Sequence, residues 1–272
     1  MNRWRWARRG RPVAAPRVPW TPKYEARHRT FIERVLDDPR LLERFRHRER
    51  LPRGYGIGFD ERVIEYPWLL AFVPGGHVLD AGSTLNHAHV LERFLARCAD
   101  LHVVNLAPEA ESFPELGVVY SYADVRDLPY PDGSFDTVVA ASTLEHVGMD
   151  TTVYGAPGRQ SSEPAEEVEL ALSELARVLV ARGKLLVTVP YGRAEDHHWF
   201  RQFGREEVEG ILARDRWRAS RATVYRYSRQ GWQLSDLDQA ADETYWDHHA
   251  DPVVPDDGAA AARAVACLVL EP

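Results

Sequence analysis

From residue 75 onward, short apolar runs alternate with stretches whose apolar residues recur every three or four positions. Residues 77–81 (HVLDA) read as a buried parallel strand that ends in Asp80 and Ala81. Residues 86–99 carry Val90, Leu91, Phe94, Leu95 and Cys98 at helical spacing. Residues 101–105, 118–122 and 135–140 are further apolar runs and predict the second, third and fourth strands. Residues 166–181 place Val168, Leu172, Leu175, Val178 and Leu179 on one helical face, with Gly183 as the expected stop. A fifth strand is predicted over 184–189, a helix over 205–214, and two late strands over 219–227 and 263–270. This alternation predicts an α/β domain with a doubly wound, mostly parallel sheet. Ligands of such sheets sit outside the carboxyl ends of the strands, so the loops after the first four strands should carry the chemistry.

The first 74 residues follow another pattern. Residues 1–22 hold Pro12, Pro16, Pro19 and Pro22 among arginines and tryptophans, which forbids a continuous helix and predicts an extended basic arm. Residues 23–74 then read as a helical cap. Its first helix has apolar positions Phe31, Val35, Leu41, Leu42 and Phe45, with a break at Asp38-Pro39. A glycine-rich bend over 54–58 leads to a helix over 61–72, expected to be interrupted near Pro67. The sheet domain fills 75–272, with insertions at 148–162 and 228–258.

Charge sharpens this division. The chain of 272 residues carries a net charge of -7, yet residues 1–53 are strongly basic and the remainder strongly acidic. A basic arm fits nucleic acid or an acidic membrane surface, or lies on its own acidic body, and the last reading is preferred. No run approaches the ~20 apolar residues needed to span a bilayer. Cys98 and Cys267 are too few for a disulfide framework or a cysteine zinc site, and the start lacks the apolar core of a secretory signal; both favour a cytoplasmic home.

In the loop after the first strand, Asp80-Ala81-Gly82-Ser83, Gly82 lets backbone approach a ligand at the start of a helix. A nicotinamide dehydrogenase would need G-x-G-x-x-G there, which is missing. The second loop opens with Asn105 and Leu106, and a polar residue at that point is placed to meet ribose hydroxyls. In the third, Asp124 can accept from an adenine amino group and the Val125 N–H can reach a ring nitrogen; Asp124 can equally serve as a cap.

The ordered set VLDAG (78–82), NLAPE (105–109), ADVRDLPYPDGSFDTVVA (123–140), LEHV (144–147) and RVLVARGKLLVTVP (177–190) resembles the successive motifs of class I S-adenosylmethionine-dependent methyltransferases. The resemblance implies a seven-stranded sheet whose final strand is inserted antiparallel. It implies S-adenosylmethionine as cofactor, with Gly82 and its neighbours Asp80, Ala81 and Ser83 holding the methionine portion. By the same resemblance Asn105 meets the ribose and Asp124 with Val125 meets the adenine, with Leu106 and Ser142 as further cofactor-binding residues. Two departures stand out: Thr84 and Asn86 occupy later glycine positions, and Asn105 replaces the usual acidic residue. The AGSTLN and STLEHVGMD runs are similar to those of some sugar and natural-product methyltransferases, which implies O-methylation of a small-molecule hydroxyl.

An alcohol nucleophile must lose a proton, so a general base is expected. His146 follows the fourth strand on the correct rim, and Glu145 would orient it; the alternative for His146 is a packing or capping histidine. Some relatives bind a divalent ion through E-x-x-E-H. Here Ser142 replaces the first Glu, so a magnesium-type site built from Glu145, His146, His197 and His198 is disfavoured. Tyr154, Tyr191, His197, His198 and Trp232 are the expected substrate-facing residues. Rival readings are an N-methyltransferase, an RNA methyltransferase and a catalytically silent partner subunit; a homo-oligomer stays open.

Overall fold

The computed structural model describes residues 18–155 and 160–272. Most of the expected basic arm and the residues 156–159, including Pro157 and Gly158 of the 148–162 insertion, lie outside the described residues. Helix α1 (Pro22–Leu36) begins on the Thr21 cap, and α2 (Pro39–Arg46) begins where Asp38 accepts from the Arg40 and Leu41 amides. The break expected at Asp38-Pro39 is therefore a pair of caps around one proline.

Helix α3 (Arg62–Phe72) departs from expectation, because it runs through Pro67 without interruption. Pro67 cannot donate to the Val63 carbonyl four residues back. The Tyr55 hydroxyl donates to that carbonyl instead, at 2.6 Å, so no buried acceptor is left unmet. The bend before α3 depends on Gly56, whose φ is +63; a Cβ there would collide with Val63.

Strand β1 (His77–Ala81), helix α4 (Ala88–Leu95), strands β2 (Asp100–Asn105), β3 (Val119–Tyr122) and β4 (Phe135–Ala141), helix α5 (Pro164–Arg177) and strand β5 (Leu179–Pro190) follow in order. Next come a small ladder of β6 (Glu195–Asp196) and β7 (Arg201–Gln202), helix α6 (Arg205–Leu212), and strands β8 (Ala219–Ser228), β9 (Gly231–Ser235) and β10 (Ala264–Glu271). The main sheet has the order β3-β2-β1-β4-β5-β10-β8-β9. Its β3, β2, β1, β4 and β5 run parallel, and β10 is inserted antiparallel between β5 and β8.

This is the class I methyltransferase arrangement, enlarged from the expected seven strands by β9. That strand pairs antiparallel with β8 inside what sequence reading left as an insertion. Gly183 also plays another part than helix stop. Helix α5 ends at Arg177, and β5 starts earlier than expected, pairing Leu179 with Phe135 before an irregularity shifts the register to Lys184 opposite Thr137.

The sheet separates two apolar layers. On one face α1–α4 bury Tyr24, Phe45, Tyr55, Trp68 and Phe94 together with Trp232 of β9. On the other, α5 and α6 bury Leu172, Leu175, Val208 and Ile211 against β4 and β5. The first layer ties the chain's start to its end: Gly58 donates to the Tyr227 hydroxyl at 3.0 Å, and Trp232 Nε1 donates to the Phe59 carbonyl at 3.0 Å.

Candidate active site

The carboxyl ends of β1, β2, β3 and β4 open into one cavity of about 650 Å³. That volume lies in the range of small-molecule and cofactor sites. Gly82, Ser83, Asn105, Leu106, Asp124, Val125, Ser142, His146 and Tyr154 all line it. Asp80 and Ala81 lie behind the wall. Asp80 is fully buried and accepts from the Leu85 amide at 2.8 Å, closing the turn that starts α4, and burial pushes its carboxyl up to about 7.

The floor is backbone held under strain. Gly82 has φ +109, and any side chain there would strike Thr143. Ser83 and Ser142 sit in left-handed conformations, φ +60 and +46, that non-glycine residues seldom adopt. Ser142 is pinned by its amide to the Thr188 carbonyl at 2.9 Å and by its hydroxyl to Glu65 at 2.7 Å.

At the far end Asp124 takes the Arg126 amide at 2.9 Å and the Arg126 Nε at 2.7 Å, and Arg126 also pairs with Glu167. The capping role considered for Asp124 is thus real, but it closes a turn rather than a helix. Arg62 brings a guanidinium from the cap to the cavity, paired with the buried Glu65.

His146 stands at the other end. Its Nδ1 lies 3.0 Å from the Trp199 carbonyl, a contact that needs a hydrogen on Nδ1 and leaves Nε2 as an acceptor. The Tyr154 hydroxyl lies 3.4 Å from Nε2, and Trp199 stacks on the imidazole with centroids 5.5 Å apart. Burial pushes the imidazole down to about 4, so it is neutral at physiological pH.

Other expected site residues lie elsewhere. Glu145 does not orient His146: it is buried away from the cavity with Oε2 unpartnered, and burial raises it to about 8, while the Trp199 carbonyl holds the imidazole. Trp232 is a core residue under the cap, with its indole N–H already spent on Phe59. Tyr191 is likewise buried, its hydroxyl donating to the Leu237 carbonyl at 2.7 Å. Both are corrected to packing roles, because a buried side chain with its polar tip satisfied has nothing to offer a ligand.

His197 stacks on Phe200, 4.4 Å between centroids, and His198 is an exposed turn residue; neither lines the cavity. Among the described residues no group of three or more His, Cys, Asp or Glu is arranged to hold a metal ion. No helix among the described residues is long and apolar enough to cross a membrane.

Sequence reading did not single out Arg62 or Glu109, and took in Met149 and Trp199 only as members of stretches after the fourth and fifth strands expected to face substrate. Glu109 was in view inside NLAPE; Arg62 reaches the site from the cap, an approach that no local pattern announces.

Residues 79–187 match the methyltransferase domain family. Over those residues the chain is similar to methyltransferase domains. One curated relative, the 27-O-demethylrifamycin SV methyltransferase of Amycolatopsis mediterranei, is 30% identical over 131 residues, which are 42% of this chain and 41% of the relative. The chain therefore matches well under half the length of that relative. Among solved structures, the 1,6-didemethyltoxoflavin-N1-methyltransferase of Burkholderia thailandensis is 16% identical with a TM-score of 0.44, covering 72% of this chain and 70% of that one. The N-methyltransferase NodS of Bradyrhizobium japonicum is 15% identical with a TM-score of 0.45, covering 90% and 98%.

The residues present fit S-adenosylmethionine. Three loop tips of different chemistry share one hollow, and the Val125 N–H at its far end has no hydrogen-bond partner among the described residues. Asp124 with Val125 would meet the adenine, the Asn105–Glu109 segment the ribose, and the Gly82–Ser83 turn the methionine portion.

Proposed function

We propose that this protein transfers a methyl group from S-adenosylmethionine to a hydroxyl oxygen of a sugar or natural-product acceptor. The observation that carries the reading is the acceptor Nε2 of His146 at the cavity end beyond the methionine turn, met by the Tyr154 hydroxyl at 3.4 Å, with the imidazole fixed in place through Nδ1. The cofactor, when bound, supplies an electrophilic methyl on a sulfonium.

The protein's part is to hold an acceptor hydroxyl in line and take its proton. His146 Nε2 does the second. Tyr154, whose hydroxyl rests on Nε2, marks the position an acceptor hydroxyl takes when it enters. Val147, Met149 and Tyr154 give that end an apolar and aromatic lining suited to a polyketide or sugar face. The depressed basicity of His146 keeps it deprotonated over the whole physiological range. The name of the curated relative, an enzyme acting on a demethylated rifamycin, supports an oxygen acceptor of the natural-product class.

The test is release of S-adenosylhomocysteine by purified protein, with 27-O-demethylrifamycin SV and simple hydroxylated sugars set against primary amines. Turnover with a hydroxyl acceptor that is lost in His146→Ala supports the proposal. Turnover with amines alone, unaffected by His146→Ala, assigns N-methylation. Absence of any S-adenosylmethionine binding leaves the silent-partner reading.

A further inference from the structure

The resemblance to the family puts a ribose contact at the end of β2, which here is Asn105. The hydrogen bonds of Asn105 speak against it. Its Nδ2 carries two hydrogens, and both are spent: one on Ser83 Oγ at 3.0 Å, the other on Glu109 Oε1 at 3.0 Å. Its Oδ1 accepts the Leu106 amide at 2.9 Å. The amide has no donor left for a ligand, and all it can still offer a hydroxyl is the second lone pair of a neutral Oδ1, a weaker acceptor than a carboxylate.

Glu109, four residues on, collects what Asn105 and its neighbours give. Oε1 receives the Ser83 hydroxyl at 2.5 Å and Asn105 Nδ2. Oε2 receives Asn86 Nδ2. Asn86 is itself fixed, its Oδ1 accepting from the Tyr120 hydroxyl at 2.8 Å and its Nδ2 also reaching the Glu111 carbonyl at 3.0 Å. A side chain on an otherwise exposed loop is thus held in one pose by donors from the loops after β1 and β2. Glu109 lines the cavity between Gly82 and Asp124, and its Oε2, with one donor, keeps acceptor capacity toward that space.

We infer that Glu109, and not Asn105, is the carboxylate that accepts the vicinal hydroxyls of the cofactor ribose, and that Asn105, Ser83 and Asn86 are its positioning residues. This rests on the cofactor assignment made above. A diol presents two O–H donors, and a carboxylate takes such donors in charge-assisted bonds that a side-chain amide cannot equal. The replacement of an acid by Asn105 at the strand end then follows from the geometry. Two carboxylates 3.0 Å apart would repel, so once Glu109 occupies the site the strand end must be a donor.

The experiment is calorimetric binding, on the full chain, of S-adenosylhomocysteine and its 2′,3′-dideoxy analogue. The parent protein is expected to prefer the ribose form by about tenfold or more, the usual worth of a hydrogen bond to a charged group. Glu109→Gln should weaken S-adenosylhomocysteine by that factor, leave the dideoxy analogue unchanged, and so abolish the preference. Asn105→Asp should weaken binding too, whereas the double variant Asn105→Asp/Glu109→Gln, which moves the acid to the strand end, should recover it. Tighter binding by Asn105→Asp alone, or a preserved preference in Glu109→Gln, overturns the inference. Failure of the parent to bind S-adenosylhomocysteine at all would instead sink the cofactor assignment. Equal thermal unfolding of parent and variants separates these outcomes from misfolding.

Discussion

The two ends of the cavity are built on different principles. The end that we propose takes the adenosine comes from three short loops within one contiguous stretch of sequence. Its polar groups form two local hydrogen-bonded sets, Ser83, Asn86, Asn105 and Glu109 in one and Asp124 with Arg126 in the other. The acceptor end is assembled from distant parts: the cap through Arg62, the segment after β4 through His146 and Tyr154, and the turn after β5 through Trp199. It is aromatic, and buried carboxyl groups stand behind it. A shared cofactor needs a fixed receptor, which nearby loops supply cheaply. A particular acceptor needs shape, which only long-range packing gives.

The widest expected separation between the ends is kinetic. His146→Ala should lower kcat by about 10²–10⁴ while leaving S-adenosylhomocysteine affinity unchanged in calorimetry. Asp124→Asn should do the reverse, weakening the cofactor by about tenfold with kcat at saturation preserved. If each variant moved both quantities together, the two ends would be one coupled unit and the distinction would fail.

A stability effect comes next. Tyr55→Phe leaves the Val63 carbonyl opposite Pro67 without a donor and should cost about 1–3 kcal/mol in denaturant unfolding. An unchanged midpoint would mean that another group satisfies that carbonyl.

The remaining effect is in pH. Burial raises Glu145 from its ordinary 4.5 to about 8, so the folded protein holds a proton that the unfolded chain has lost. The corresponding stability is present below pH 4.5 and fades as pH rises toward 8. Glu61, raised to about 8, and Asp80, raised to about 7, act in the same direction. His146, lowered to about 4, acts in the opposite direction, its contribution fading as pH falls below 6.5. Glu145→Gln should flatten the alkaline decline, measured by chemical denaturation at pH 5 and pH 8. A decline of the same slope would assign it to the other carboxyls.

The adenosine end was the more legible half because its signals are local. Strand periodicity located β1 to β5, and the residues closing those strands were read directly from the sequence. Even there, NLAPE was visible without revealing which of its polar residues faces the ligand, since that depends on how Asn105 spends its two hydrogens.

The acceptor end was harder for a physical reason. An aromatic ring is equally at home in a core and in a substrate wall, so Trp232 and Tyr191 looked like ligand residues and proved to be packing. The continuity of α3 through Pro67 depends on a hydroxyl outside the helix, and β9 exists because Trp232 docks beneath the cap. Neither contact leaves a mark in a local window.

The bonds from Gly58 to Tyr227 and from Trp232 to Phe59 have a consequence for how the molecule is made. They join residues 169 and 173 positions apart. Helices α1, α2 and α3 therefore lack this docking partner during synthesis until β8 and β9 have followed them out of the ribosome. During that interval Tyr55 and Trp68 have no completed layer to enter, and their apolar rings stay open to other contacts.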